Sequence, residues 1–473
     1  MKKHVTNSIE FNRRDFLRGS SMATIMAMMG GVPITRSEDA KKDAAAEPDK
    51  KRGLGPPINC GVIGCGVQGR NLITMLGRLP NAPVVAVSDT YPAFLRRGKE
   101  AAGKAEGYED YKQVLANKDV KAVFIATPTH LHKDIALAAL AAGKHVYCEA
   151  PLAHTIEDAR AIAKAAKAAD QCNFQAGLYM RSEPQRLFML PYMRAGTVGK
   201  PVEVRAQWHK KQTWRRTSPN ADREKELNWR LSRATSAGLL GEIGIHQIDV
   251  VSWFFGALPV SVSGFGGILG PKTHTDDGRD VPDTIYAFFE YPNGAALNYE
   301  ATLCNSFEGE YQVFYGSDSA ILLRGSMLED SNAWMFKEVD APMLGWEVYA
   351  RKEQFYKETG IVLKVGSTKQ TLLNAAAAED PAVAATKTAL YAGLEAFIVN
   401  CNELIAGIED FVGTYGENAK GLKEFLANLA KEKRRKPAAG YQEGFEAAVV
   451  ALKANEAILK KEKITFQKEW FEV

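Results

Sequence analysis

From residue 58 the chain alternates short apolar runs with longer stretches in which apolar residues return every three or four positions. The runs are "INCGVI" (58–63), "APVVAVSD" (82–89), "DVKAVFIATP" (119–128) and "KHVYCEAP" (144–151). Runs this short, apolar on both faces and bounded by Gly, Pro or Asp, predict strands covered on both sides. "NLITML" and "KDIALAALAAG" lie between them with helical spacing. Strand and helix alternating at this length predict an α/β fold with a doubly wound parallel sheet. The period then changes. "DTIYAFFEYPNGAALNYEATL" and "EYQVFYGSDSAILLRG" alternate apolar and polar residues around a hairpin signal at Asn293-Gly294, predicting a second, mostly antiparallel sheet. Residues 404–432 read as a charged helical insertion in the closing helices, without recognisable chemistry.

At 473 residues the chain is too long for one ordinary core, so two domains with extensions are expected. The net charge of +4 belongs to the beginning of the chain, where residues 1–52 hold 11 Lys/Arg and 7 Asp/Glu. The remainder carries 49 basic and 49 acidic residues, which argues against nucleic acid as a partner. "NRRDFLR" (12–18), followed by the modestly apolar "GSSMATIMAMMGGVPI", resembles a twin-arginine export signal over residues 1–35. The run is too short and Gly-rich to span a bilayer comfortably, so no membrane span is expected in the mature chain. Residues 36–56 read as a charged, Pro-ended linker. Export in the folded state to the periplasm or another extracytoplasmic space is the expectation, with a membrane anchor if the signal stays uncleaved. The six cysteines show no CxxC spacing, and those at 60, 65, 148 and 172 fall in or beside predicted buried strands and turns. They read as small core residues, not a disulfide framework.

The first apolar run leads into Gly64-Cys65-Gly66-Val67-Gln68-Gly69 and then a helical pattern; the second ends at Asp89, twenty residues after Gly69. A GxGxxG in that strand–helix context predicts a dinucleotide site. Glycines let the backbone approach a pyrophosphate, which the free N–H groups at the helix start attract. Asp89 can accept hydrogen bonds from ribose hydroxyls, and its charge repels the 2′-phosphate of NADP. NAD is therefore expected over NADP, although Arg96 and Arg97 are close in sequence. Thr127, Pro128, His130 and Glu149 fall at strand carboxyl ends, where they should border the cofactor. His130 and His132 form an HxH pair, but no third ligand has suitable spacing, so no metal is expected.

These stretches, with "FQAGLYMRSEPQR", "GEIGIHQIDVVSWFFG", "GYQEGFEAAVVALKANEAI" and the terminal "WFEV", resemble the Gfo/Idh/MocA family of sugar and polyol oxidoreductases from about residue 57 to 473. The resemblance implies an NAD-binding Rossmann domain (57–180) and a C-terminal α/β domain (181–473) whose open sheet usually serves oligomerisation. One departure bears on chemistry. The family's Glu-Lys-Pro is here Glu149-Ala150-Pro151. In the family's dehydrogenases that lysine assists proton transfer beside the nicotinamide, and alanine cannot. Members lacking it include NAD-dependent glycosidases that keep NAD bound and work by transient oxidation, elimination and re-reduction.

Trp208, Trp214, Trp229 and Trp253 are interleaved with Lys210, Lys211, Arg215, Arg216 and Arg230. Such rings stack on the C–H face of a pyranose or anchor a core, and the pattern favours neither. Trp208 and Trp229, with Arg181, are the candidate sugar contacts. Glu242 and His246 stand four apart in a helical pattern, so their side chains are expected on one face. A carboxylate beside an imidazole raises its basicity, which suits a general base. The family's counterpart spacing is Asp-x-x-x-His. Asp249 reads as packing or hydrogen bonding. Tyr179 is a candidate substrate contact and replacement acid/base group. The expected activity is NAD-dependent oxidation or reduction of a secondary hydroxyl on a small-molecule sugar or glycoside. His246 would exchange the proton, Glu242 would orient it, and the cofactor would be retained. The alternatives are an NAD-dependent glycosidase and a non-catalytic, NAD-containing sugar-binding protein.

Overall fold

The computed structural model describes residues 55–272, 277–344, 347, 350, 352–355, 358–364, 388–416, 420–431 and 435–473. The expected export signal and all but the last two residues of the expected linker lie outside the described residues. The first sheet contains β1 (Cys60–Ile63), β2 (Val84–Ser88), β3 (Glu106–Tyr108), β4 (Ala122–Ile125), β5 (His145–Cys148) and β6 (Phe174–Ala176). Their order is β3-β2-β1-β4-β5-β6, with every pairing parallel. Helices α1 (Val67–Leu76), α2 (Pro92–Ala102), α3 (Tyr111–Ala116), α4 (His132–Ala141) and α5 (Ile156–Ala168) make the crossovers. β1, β4 and β5 are buried at every position, which is why they read as unbroken apolar runs. The strand order reverses between β1 and β4, so the cleft for a ligand opens at their carboxyl ends.

After α6 (Pro184–Arg194) the chain enters the second sheet at β7 (Pro201–His209). A segment with α7 (Ala221–Leu227) and α8 (Ile245–Phe255) precedes β8 (Ser261–Gly267), β9 (Thr284–Glu290), β10 (Ala296–Thr302), β11 (Glu310–Gly316), β12 (Ser319–Arg324) and β13 (Asn332–Lys337). β14 (Lys352–Phe355), β15 (Glu358–Val362) and β16 (Ile464–Thr465) complete ten strands in the order β14-β15-β13-β12-β11-β7-β10-β9-β8-β16. Only β7 with β10 pairs in parallel among the described pairings; the others are antiparallel. The Asn293-Gly294 turn joins β9 to β10, and Gly294 takes a φ of 82° that favours glycine. The sheet's outer face leaves Phe265 and Phe288 exposed, with Phe265 stacked on Tyr286 at 4.8 Å.

Three further helices follow, α9 (Ala389–Tyr415), α10 (Leu422–Lys431), which packs on α9, and α11 (Tyr441–Lys460). α9 returns to the parallel sheet, where Phe397 packs edge-on against Phe124 at 5.1 Å and Tyr147 at 5.8 Å. Full burial of such a ring contributes about 2–3 kcal/mol. α11 lies against the end of β6, and a Cβ on Gly444 would meet that of Ala176 at 2.6 Å. The expected insertion at 404–432 therefore begins inside α9, which runs unbroken to Tyr415; residues 417–419 and 432 of that segment lie outside the described residues. No described helix is long and apolar enough to cross a membrane.

Candidate active site

The turn after β1 is shaped by its glycines. Gly64 has a φ of 94°, and a Cβ there would strike the Ala126 carbonyl oxygen at 2.5 Å. A Cβ on Gly69 would collide with the Gly64 carbonyl. At Gly66, by contrast, nothing lies within 4 Å of where a Cβ would be, so that side of the turn is open. α1 begins there at Val67 with no side-chain cap, leaving the first-turn N–H groups of Val67, Gln68 and Gly69 available to an anion. Asp89, just past β2, accepts from Cys65 N and Tyr91 N, both at 2.7 Å. Burial pushes its carboxyl pKa up, while these two bonds and the cations Arg223 and Arg70 oppose the rise. Arg223 of α7 donates to Thr90 O at 3.0 Å, so the nearby cation comes from the second domain. Arg96 instead pairs with Glu100 on an exposed face. Past β4, Thr127 Oγ1 is buried without a partner. An open glycine cradle, an uncapped helix start, a half-buried acid just past β2 and an orphan hydroxyl together fit a dinucleotide.

Glu149 follows β5 and is 8% exposed. Gln68 Nε2 donates to its Oε1 at 2.8 Å, and a Cβ on Gly177 would reach its Oε2 at 2.6 Å, so glycine there makes room for the carboxylate. Burial pushes its pKa up to about 7 against the Gln68 hydrogen bond. The next peptide, Ala150-Pro151, is cis. His132 stands between Pro151 O and Thr127 O, 3.0 Å from each, and braces the ends of β4 and β5. The His130 ring faces His154 at 6.1 Å and Trp229 at 6.4 Å. Among the described residues no three metal-type ligands converge.

The expected Glu242–His246 pair is not formed. Leu240–Gly244 is a π-helical turn, in which hydrogen bonds run from i to i+5, so residues four apart no longer stack as on an α-helix. Glu242 turns toward the first domain and accepts from Thr129 Oγ1 at 3.0 and 3.1 Å, and from Ala237 N at 3.0 Å; Arg230 Nε lies 3.9 Å away. It clamps the end of β4 to the second domain. His246 instead lies on the Tyr179 ring, centroids 4.6 Å apart, with Nδ1 unpartnered. Burial, reinforced by the Arg186 cation, pushes its pKa down to about 4, so the imidazole is neutral and a weak base. Tyr179 is shifted upward by burial and by the negative charges of Glu310 and Glu149, so it stays protonated.

Arg181 does not face the cleft as expected. Its Nε and Nη2 grip both oxygens of Asp249 at 2.9 and 2.8 Å, and its guanidinium lies 5.7 Å from the Trp253 ring centre. A guanidinium so occupied is a structural tie, not a free sugar contact. Trp208, paired with Glu310 and Ala301 at the end of β7, is half-buried against the core. Trp229 is also half-buried, under the Arg230 guanidinium at 4.8 Å, and Trp214 is buried. Several residues of this recess carried no signal in the sequence. Arg186 and Glu183 form a buried ion pair, with Arg186 Nη1 also donating to Ser331 Oγ at 3.0 Å. The unpartnered Tyr299 hydroxyl lies under Gly244, where a Cβ would stand 3.0 Å away. Glu310 opens β11, and a charge at the start of an alternating strand is too ordinary to single it out.

A Rossmann sheet with an open glycine turn, coupled to a second domain whose π-turn and α8 bring a carboxylate and an imidazole to the strand ends, defines a two-domain, dinucleotide-dependent enzyme. Residues 58–177 match the family model described as "Oxidoreductase family, NAD-binding Rossmann fold", and residues 191–321 match the one described as "GFO/IDH/MocA C-terminal domain". The chain belongs to the Gfo/Idh/MocA family of oxidoreductases, and its Rossmann domain binds NAD. It is similar to levoglucosan dehydrogenase of Pseudarthrobacter phenanthrenivorans, 27% identical over 296 residues covering 56% of this chain and 73% of the relative. It is also similar to 2,7-anhydro-N-acetylneuraminate hydratase of Escherichia coli, 27% identical over 269 residues, 56% of this chain and 67% of that one. A solved levoglucosan dehydrogenase with NADH and levoglucosan shares the fold at a TM-score of 0.62 and 19% identity, over 86% of this chain and 99% of the other.

Proposed function

We propose that the protein is an NAD-dependent oxidoreductase acting on a secondary hydroxyl of a sugar or glycoside. The observation that carries this reading is the neutral His246 with an unpartnered Nδ1, laid on Tyr179 within reach of the Glu149 and Glu310 charges. Such an imidazole accepts a hydrogen bond from an alcohol and fixes its orientation. Tyr179, remaining protonated, donates to a second oxygen of a polyhydroxylated substrate. The glycine turn and the start of α1 hold the pyrophosphate, Asp89 the ribose, and Thr127, Pro128 and Glu149 border the nicotinamide end. When bound, NAD supplies the hydride acceptor. The names of the two sequence relatives support a sugar as substrate class.

Two features favour a second reading, a glycosidase cycle of transient oxidation, elimination and re-reduction. Ala150 replaces the lysine that assists simple dehydrogenation, and the reaction for which the hydratase relative is named transfers no net electrons. The twin-arginine pattern supports export with the cofactor already loaded, where recycling within a turnover replaces exchange. The exposed Phe265 and Phe288 support association of copies through the open sheet. Mass spectrometry of the dinucleotide that co-purifies, followed by its absorbance on adding a panel of sugars and aryl glycosides, tests the reading. Bound NAD that becomes reduced with one sugar class is expected. No dinucleotide, or no reduction and no cleavage with any member, refutes it; rapid exchange with soluble NAD refutes retention.

A further inference from the structure

The Glu310 backbone belongs to the sheet, but its carboxylate ties no two elements together. The residue opens β11 opposite Trp208 of β7, and side chains alternate along a strand, so it shares its face with Gln312. Gln312 Nε2 donates to Gln247 O on α8 at 3.0 Å, which identifies this face as the one beneath α8. Gln247 Nε2 in turn donates to Gln207 O and Tyr311 O, both at 3.1 Å. These bonds pin the start of α8, where His246 sits, over the strand ends that carry Trp208 and Glu310.

The groups whose charge bears on Glu310 are Arg186 and Glu183 near α6, Lys210 after β7 and Glu329 after β12. Its own charge is felt by Tyr179 and by Tyr299 of β10. Arg186 is already held by Glu183 and Ser331. The Glu310 carboxylate makes no hydrogen bond or ion pair with any described residue and is half-buried, close enough for its charge to act on Tyr179, on whose ring His246 lies. Burial pushes its pKa up to about 7, with Arg186 and Lys210 pulling down and Glu329 and Glu183 pushing up. A general base works best when its pKa lies near the working pH. His246 at about 4 is too weak, Tyr179 stays protonated, and Glu149 is engaged by Gln68 on the cofactor side.

We propose that Glu310 is the acid–base residue of the reaction and takes the substrate hydroxyl proton in place of the absent lysine. This rests on the sugar-oxidoreductase reading. The substrate O–H bond breaks with its proton passing to the Glu310 carboxylate, which becomes a carboxylic acid. The carbinol C–H electron pair leaves as hydride to oxidised nicotinamide, so the carbon loses two electrons and the nicotinamide gains them. On re-reduction the same acid returns the proton. Trp208, adjacent on the same face, supplies an apolar wall for the sugar ring.

The test uses the full chain with its co-purified NAD and the variants Glu310→Gln and Glu310→Asp. Glu310→Gln should keep the wild-type content of dinucleotide and bind sugar by tryptophan fluorescence, while single-turnover reduction falls on the order of 10²- to 10⁴-fold. Glu310→Asp should keep part of the rate, with the pH limb displaced, and serves if the glutamine variant does not fold. Independently of activity, difference infrared spectroscopy should show a carboxyl band titrating near neutral pH that vanishes in Glu310→Gln. Reduction by Glu310→Gln at close to the wild-type rate overturns the assignment, as does a Glu310 band already ionised at acid pH. A wild-type protein that reduces its NAD with no sugar overturns the sugar reading first, and this assignment with it.

Discussion

Replacing Asp249 with asparagine separates a structural tie from a substrate contact. The Arg181–Asp249 pair is bidentate at 2.8 and 2.9 Å, and its side chains are 16% and 3% exposed. Burial pushes the Asp249 pKa up, and the Arg181 guanidinium opposes it by attraction and hydrogen bonding. Two unit charges about 4 Å apart at an effective dielectric constant of about 20 attract by roughly 4 kcal/mol. Removing one partner of a buried pair costs about 3–5 kcal/mol because the other stays charged and unpaired. Glu443 and Glu446 also act on Arg181, so about 3 kcal/mol is the expectation for Asp249→Asn. At about 2.1 cal/mol/K per residue, a chain of 473 residues unfolds with an entropy near 1 kcal/mol/K, so Tm should fall by about 3 °C in scanning calorimetry. The double variant Arg181→Met with Asp249→Leu should recover most of that loss, since an apolar pair of similar volume leaves no buried charge. Arg181→Met alone should lower Tm and leave KM for the sugar unchanged. An unchanged Tm in Asp249→Asn, or an Arg181→Met that raises KM at wild-type Tm, would refute the tie and restore Arg181 as a substrate contact.

Gly69→Ala places a methyl against the Gly64 carbonyl and should release the dinucleotide, measured as loss of co-purified NAD in protein that remains folded. Glu242→Gln should move the His246 imidazole pKa, followed by NMR, by less than about half a unit, because the carboxylate faces Thr129; a larger shift would show the two residues coupled after all. Glu149 makes stability pH-dependent. Its folded pKa of about 7 stands above the ordinary 4.5, so the folded state binds the proton more tightly, and this stabilisation, complete below 4.5, is lost as pH rises through 7. The loss is about 3 kcal/mol at most. The Tm advantage of Glu149→Gln over wild type, measured on cofactor-free protein, should therefore grow by up to about 3 °C between roughly pH 5 and pH 8, and a difference that stays flat would contradict the burial argument.

The amino-acid pattern was enough for the parallel sheet and the glycine turn. Each depends on neighbours a few residues away: the apolar runs of β1, β4 and β5 and the Gly64–Gly69 spacing impose their geometry locally. The alternating period of the second sheet was visible for the same reason. The partners of the charged groups were not. A spacing of four pairs Glu242 with His246 only on an α-helical face, whereas the π-turn frees Glu242 to meet Thr129, 113 residues away. Arg181 found Asp249 across 68 residues, and Glu310 came under α8 through strand pairing that leaves no trace in its own surroundings. Electrostatic pairing is decided by which groups are desolvated together, and desolvation is a property of the packed domains, not of any one segment.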